Sequence, residues 1–440
     1  MKFIAMVSVL LVSVGATVAR AQAPRNHGGF LNVVVIFQEN RTPDNLFGSN
    51  PHFTYGVDIA SSGVNSQGQV IPLAPVPLAN DYDLSHAHSA FVKMYDNGKM
   101  DGANKIAVTC SPGSSGCPPA NPQFRYVDNS TGLLDPYFAL AEQYTFGDRM
   151  FQTNQGPSFP AHQFIISGTS APSADSDLFV SENPAGVTNA TNNTGCTAPS
   201  DEYVKVIDPS GSEAQNIYPC FEHQTLADLL DNAGVSWRYY APSAGSIWTG
   251  PNAIDHLRFG PDWTNDVVLK PAQVLTDIAN GQLANVSWVI PTGQESDHPG
   301  GGEGLGPSWV ASIVNAIGQS QYWDNTAIII TWDDWGGWYD HVAPRVINSY
   351  EYGFRVPLIV VGPFAKQHYV SHVTHDFGSI LKFIEEVYHL PSLGYADRYA
   401  DDLSDCFDFH RHNRFQKIAT PYDGKYFIND KTPPTDPDDD

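Results

Sequence analysis

Two adjacent aspartates, Asp333-Asp334, follow the apolar run TAIIITW (326–332) and precede Trp335-Gly336-Gly337. Neighbouring carboxylates repel each other unless a cation or a basic group lies between them, so the pair reads as part of a metal site. The plainer reading is one turn carboxylate and one solvated one. A second run, LNVVVIF (31–37), is followed by Gln38-Glu39-Asn40-Arg41. Glu39 and Asn40 offer two more oxygen ligands or, equally, a helix cap. A third run, VSWVI (286–290), leads through Pro291 to Glu295-Ser296-Asp297-His298-Pro299. Clustered oxygen atoms suit hard divalent cations, and imidazole suits transition metals. His298 alone fits a structural histidine, and His341, eight residues past Asp333 in YDHVAP, can equally be a packing residue.

The nucleophile candidate is Ser158, in TNQGPSFPAHQFIISGTS (153–170). Gly156-Pro157 before it and Phe159-Pro160 after it force a sharp loop that can present a hydroxyl at a helix start. Serine in such punctuation is usually only a turn residue. No GxSxG elbow occurs, which argues against an ordinary α/β-hydrolase. Neither a GxxxxGKS loop nor a GxGxxG turn follows a strand, so nucleotide-cofactor folds find no support.

The elements that must position these residues are short, continuous and rich in branched side chains: 31–37, 286–290, 326–332 and 356–361. Such runs are strands buried on both faces. Helical patterns lie between them at 134–144, 224–233, 308–319 and 376–388. Strands alternating with helices indicate an α/β fold, a mostly parallel central sheet flanked by helices. In such sheets ligands bind beyond the carboxyl ends of the strands, where Glu39, Asn40, Asp333, Asp334 and His298 all emerge. Residues 50–80 and 170–222 are rich in Gly, Ser, Pro and Asn, and read as loop or cap insertions in a single domain spanning 22–430. Residues 431–440, KTPPTDPDDD, read as a disordered, solvated acidic tail.

Lys2, an apolar stretch to residue 18 and Ala19-Arg20-Ala21 fit a signal peptide, 1–21, cut after Ala21 or after Ala23. An uncut N-terminal anchor is the competing reading. The stretch is short for a span of roughly 20 residues, and no later segment is apolar enough to cross a bilayer. The expectation is an exported protein, periplasmic or extracellular, with no integral membrane segment in the mature chain. The net charge of −24, or −26 once Lys2 and Arg20 are removed, disfavours nucleic acid and anionic membrane surfaces as partners. It leaves room for an anionic substrate, because a bound cation reverses the local field. Of five cysteines, Cys110 and Cys117 flank one loop and Cys196 and Cys220 are the next natural pair, leaving Cys406; the spacing does not fix the connectivity.

Seven segments, in order, resemble the phosphoesterase family that contains bacterial phospholipases C and related acid phosphatases, within the alkaline-phosphatase-like superfamily. They are VVVIFQENRTPDNLFG (33–48), YDLSHAHSAFVKMYDNGKMDG (82–102), GPSFPAHQFIISGTS (156–170), ESDHPG (295–300), ITWDDWGGWYDHVAP (330–344), GFRVPLIVVGPFAK (353–366) and THDFGSILKFIEEVYHLPSLG (374–394). The resemblance implies that Glu39, Asn40, Asp333 and Asp334 hold a divalent metal ion, whose identity these residues do not fix, and that Ser158 is both nucleophile and ligand. It implies that His86, His298 and His341 line the site and contact the phosphoryl oxygens or the leaving group. Two departures stand out. Relatives usually read Pro-Asn-Arg after the nucleophile, where this chain has Pro160-Ala161-His162, and Glu often precedes the histidine where Asp297 stands.

The resemblance thus implies an exported, metal-dependent phosphoesterase working through a phosphoserine, phospholipase C-like, with a phosphate ester as substrate, phospholipids among them. The paired aspartates lean toward the acid phosphatases, which act on small monoesters. A reading of another class is a non-catalytic exported binding protein on the same scaffold; the joint presence of Glu39, Asn40, Ser158, Asp333 and Asp334 speaks against it.

Overall fold

The run Asn32–Gln38, all of it buried, lies between two parallel neighbours at the centre of the molecule. Its valines and isoleucine suit that place, because a strand covered on both faces needs apolar side chains in both directions. The computed structural model describes residues 29–185, 193–300 and 303–435, so the expected signal segment falls outside the described residues.

One eight-stranded sheet organises the chain. Its strands are β1 (Asn32–Gln38), β2 (Thr145–Gly147), β3 (Trp237–Tyr240), β4 (Val267–Val268), β5 (Val286–Val289), β6 (Thr326–Trp332), β7 (Leu358–Val361) and β8 (Tyr369–Ser371). They lie in the order β4-β3-β5-β1-β6-β7-β2-β8. Only β7 runs against the rest, pairing antiparallel with both β6 and β2. The sheet is therefore mostly parallel, as expected. The run expected from residue 356 enters the ladder at Leu358, after Pro357, which has no N–H to give.

The helices that flank the sheet are α1 (Asp135–Gln143), α2 (Ser158–Ser167), α3 (Leu226–Ala233), α4 (Gly306–Gly318) and α5 (Phe377–Tyr388). Thr225 and Asp228 form a capping box at the start of α3, and Gly234 ends it at φ +67°. Asp376 caps α5. α4 starts two residues earlier than its periodicity suggests, because Pro307 fits a first helical turn.

Both segments read as insertions carry small sheets. Ser62–Val64 pairs with Val70–Pro72, and Phe179–Val180, Val204–Ile207 and Gln215–Ile217 form a three-stranded sheet. Disulfides join Cys110 to Cys117 and Cys196 to Cys220, leaving a buried Cys406 thiol. Residues 431–435 are exposed, yet tied to the loop after β5: Gly293 N–H donates to the Thr435 carbonyl at 2.8 Å, and Gln294 Nε2 to that of Pro433 at 2.9 Å. No helix among the described residues is long and apolar enough to cross a membrane.

Candidate active site

The pairing of β1 with β6 puts Gln38 opposite Trp332, so the next residues, Glu39 and Asp333, leave parallel strands side by side. Asn40 then turns the chain at φ +61°, a left-handed conformation that asparagine tolerates better than most residues. That turn aims its backbone N–H at Asp333 Oδ1, 3.1 Å away. After Asp334 the chain bends through Gly336 (φ +62°) and Gly337 (φ +70°). A Cβ on Gly336 would stand 2.5 Å from the Asn40 carbonyl, and one on Gly337 2.5 Å from the Leu84 Cβ. The glycine pair thus lets the aspartate loop close onto both neighbouring segments.

Ser158 opens α2, and its hydroxyl donates to Asp334 Oδ2 at 3.1 Å. Asp334 Oδ1 accepts from the Gly336 N–H at 2.7 Å. Gln152 joins the two loops through its side chain: Oε1 accepts from Trp335 N–H, and Nε2 donates to the carbonyls of Asn154 and Gly156. Glu39, Asn40, Ser158, Asp333 and Asp334 are all fully buried. Buried carboxylates this close need compensation. Asn40 Oδ1 and Asp333 Oδ2 have no hydrogen-bond partner among the described residues, the pattern expected of oxygen atoms reserved for a cation. The donor set, three carboxylates and an amide oxygen beside a hydroxyl, suits a divalent ion.

His86 belongs to this cluster. Its Nδ1 faces the Leu84 carbonyl at 2.9 Å and so carries the proton. Nε2 then accepts from the Asn40 amide at 3.3 Å. Asn40 Nδ2 is thereby committed to His86, while the buried Oδ1 stays open to a cation. The His298 ring lies 6.1 Å from that of His86, with Nδ1 donating to the Pro299 carbonyl. Its loop is pinned from below. Gln38 accepts from Asp297 N–H and donates to the Glu295 carbonyl, while Arg41 gives two hydrogen bonds to the Asp297 carbonyl. Asp297 Oδ2 accepts hydrogen bonds from Tyr137 OH and Trp332 Nε1. Burial pushes this carboxyl up to about 6, against the pull of Arg41, and pushes Arg41 down to about 10.

His341 does not join them. Its Nδ1 lies 2.7 Å from Asp44 and its Nε2 3.0 Å from Asp58. Asp44 and Asp340 share the buried guanidinium of Arg355, which serves this acidic group as its internal cation. Burial opposes charge on His341, but the hydrogen bond to Asp44 and the charges of Asp44 and Asp340 outweigh it and raise the imidazole to about 9. Its folded value exceeds the unfolded value of about 6.5, so its contribution to stability is fully present below pH ~6.5 and lost as pH rises through about 9. Thermal melts of the protein are expected to fall across that window, and of His341→Gln to fall less; equal slopes would count against the ion pair.

The sequence reading missed His162, except as a departure from relatives. It lies one helical turn beyond Ser158, with Nε2 3.5 Å from Glu39 Oε1. Its spacing of four residues from Ser158 was a readable signal. Nδ1 meets the hydroxyl of Tyr239 from β3 at 3.2 Å. Burial, and the charges of Glu39 and Asp333, hold that phenol far above its ordinary value.

A model of the Phosphoesterase family matches residues 30–391. Phospholipase C B of Mycobacterium tuberculosis is 23% identical over 86% of this chain and 77% of its own length. Non-hemolytic phospholipase C of Pseudomonas aeruginosa is 22% identical over 91% of this chain and 62% of its own. A solved structure from Vibrio parahaemolyticus, a protein in the alkaline phosphatase superfamily, superposes with a TM-score of 0.38 at 11% identity, over 86% of this chain and 72% of that one.

Proposed function

Since this chain belongs to the Phosphoesterase family and is a hydrolase of phosphoric ester bonds, we propose that it is an exported, metal-dependent, phospholipase C-like phosphoesterase that cleaves its substrate through a phosphoserine at Ser158. The observation that carries this reading is the Ser158 hydroxyl, held 3.1 Å from Asp334 inside the buried Glu39–Asn40–Asp333–Asp334 cluster. The names of its relatives favour a phospholipid diester, with the lipid alcohol and a phosphorylated head group as products. Residues 1–21, as a signal peptide, carry the protein out of the cytoplasm.

Glu39, Asn40, Asp333 and Asp334 would hold a divalent cation with the Ser158 oxygen beside them. Such an ion, when bound, neutralises the phosphate and favours the ionised hydroxyl. The rest of the chemistry belongs to the chain. The Ser158 proton leaves along its hydrogen bond to Asp334. The Ser158 oxygen attacks phosphorus, the ester P–O bond breaks, and the departing oxygen takes a proton. The adduct on Ser158 keeps the head group of a diester substrate; water then breaks the Ser158–phosphorus ester, releasing the phosphorylated head group and restoring the hydroxyl. His86 Nε2 accepts from Asn40 and His341 is clamped between two aspartates. The proton donor to the leaving group is then assigned to His298, which in its doubly protonated form keeps Nδ1–H on the Pro299 carbonyl and gives the Nε2 proton to the departing oxygen.

This assignment predicts a dependence on leaving group. His298→Asn loses about 10²-fold or more in kcat on an alkyl ester, in line with general acid catalysis. It loses much less on a p-nitrophenyl ester, whose phenolate departs without a proton. Equal losses on both would remove His298 from that role. The reading as a whole is tested by turnover of phosphatidylcholine vesicles, p-nitrophenylphosphorylcholine and p-nitrophenyl phosphate, with and without a chelator. Chelator-sensitive cleavage of the diesters supports it. Preference for the monoester would make the enzyme a phosphatase, and absence of any turnover would favour a binding protein.

A further inference from the structure

His162 has no part in that reaction scheme, yet it is fully buried against the acidic cluster. One ligand atom each from Glu39, His162 and Asp333 lies within 4.8 Å of the other two. The protonation of the ring follows from the groups behind it. Tyr239 has one hydroxyl proton, and donates it to the Trp248 carbonyl at 2.9 Å, a group that can only accept. The same oxygen accepts from Gly250 N–H at 3.4 Å. It can therefore meet His162 Nδ1 only as acceptor, so Nδ1 carries the proton. In the neutral ring Nε2 then presents a lone pair on the side of Glu39 Oε1, 3.5 Å away. Two lone-pair atoms facing each other in a buried site call for a cation between them.

Resting on the proposed metal dependence, we infer that His162 is a further ligand of the cation, through Nε2, and that Tyr239, anchored on Trp248, is the positioning residue that sets its tautomer. A histidine whose second nitrogen is fixed by a hydrogen bond is the usual arrangement behind a metal-bound imidazole. The inference also names the class of ion. Oxygen atoms alone suit magnesium, calcium or manganese, whereas a nitrogen donor shifts preference to later first-row ions such as iron, cobalt or zinc. The competing arrangement is a doubly protonated His162 paired with Glu39, a cation built into the protein.

The test uses the full-length protein stripped by a chelator and reloaded with manganese. Pulsed electron paramagnetic resonance of the wild-type protein is expected to show coupling to one imidazole nitrogen, a signal that His162→Gln loses. Calorimetry is expected to show cobalt and zinc binding tighter than magnesium or calcium. His162→Gln narrows that preference, and Tyr239→Phe weakens manganese binding by about 10-fold or more, the size typical of partners behind a metal ligand. A manganese-loaded wild-type protein without nitrogen coupling overturns the inference and leaves the proposed function standing. A protein that binds no divalent ion overturns both. The wild-type spectrum depends on no variant, so a misfolded substitution does not blunt the test.

Discussion

Ser158→Ala is expected to lose about 10⁴-fold or more in kcat on every ester the protein cleaves, the scale seen when a catalytic nucleophile is deleted. The loss should be confined to chemistry. Ser158 is the first residue of α2, where alanine is well tolerated, and Asp334 keeps its hydrogen bond from the Gly336 N–H. The missing hydroxyl costs stability only on the order of 1–2 kcal/mol. Cation binding should survive, because Glu39, Asn40, Asp333 and Asp334 are untouched. Parallel measurements of kcat, melting temperature and manganese affinity check this pattern. An active, well-folded variant would remove Ser158 from the mechanism; an inactive one that no longer binds the ion would make it chiefly a ligand.

Asp333→Asn should separate binding from folding with opposite signs. Asp333 Oδ2 has no hydrogen-bond partner among the described residues, and the carboxylate lies against Glu39 and His162. In cation-free protein, removing one of several clustered negative charges relieves repulsion, so the variant should melt higher than stripped wild type. With a cation present the order reverses. Wild type gains about 2.7 kcal/mol at a hundredfold excess of ion over Kd, and the variant gains little. Its activity should fall by at least about 10²-fold, the loss already caused by removing partners behind a ligand. Melting curves with and without manganese decide the matter. A variant that melts lower than wild type in both conditions would mark Asp333 as a structural aspartate.

The site was legible in the sequence where chemistry follows directly from strand order. LNVVVIF and TAIIITW are continuous because β1 and β6 are buried on both faces. Since these two strands are parallel and paired in register, the residues that follow them meet. Pattern alone therefore places Glu39, Asn40, Asp333 and Asp334 on one face of the sheet, and the pairing of β1 with β6 makes them neighbours. The antiparallel sense of β7 was not legible, because it is set by pairing with β6 and β2 and not by the composition of Leu358–Val361. The short strands Thr145–Gly147 and Tyr369–Ser371 carry too few residues for a period to show.

Histidines were harder to read, because an imidazole takes its meaning from its partners. His341 stands eight residues from Asp333, but the chain bends away through Gly336 and Gly337 and delivers it to Asp44 and Asp58. His162 sits beside the cluster, while the group that fixes its tautomer, Tyr239, comes from a strand 77 residues further on. The loop of His298 is held by Gln38, Arg41, Tyr137 and Trp332, which no local motif connects.

The central claim is that phosphorus becomes bonded to Ser158 during turnover. It is tested most directly by acid quenching of the enzyme within a single turnover on a phosphate ester, followed by proteolysis and mass spectrometry of the peptide that contains Gly156-Pro157-Ser158. The account predicts a phosphoryl adduct on Ser158, still carrying the head group when the substrate is a diester, that appears before the phosphorylated product and decays as that product accumulates. Full single-turnover hydrolysis with no phosphorus bonded to Ser158 at any quench time, together with inverted configuration at phosphorus, would contradict it.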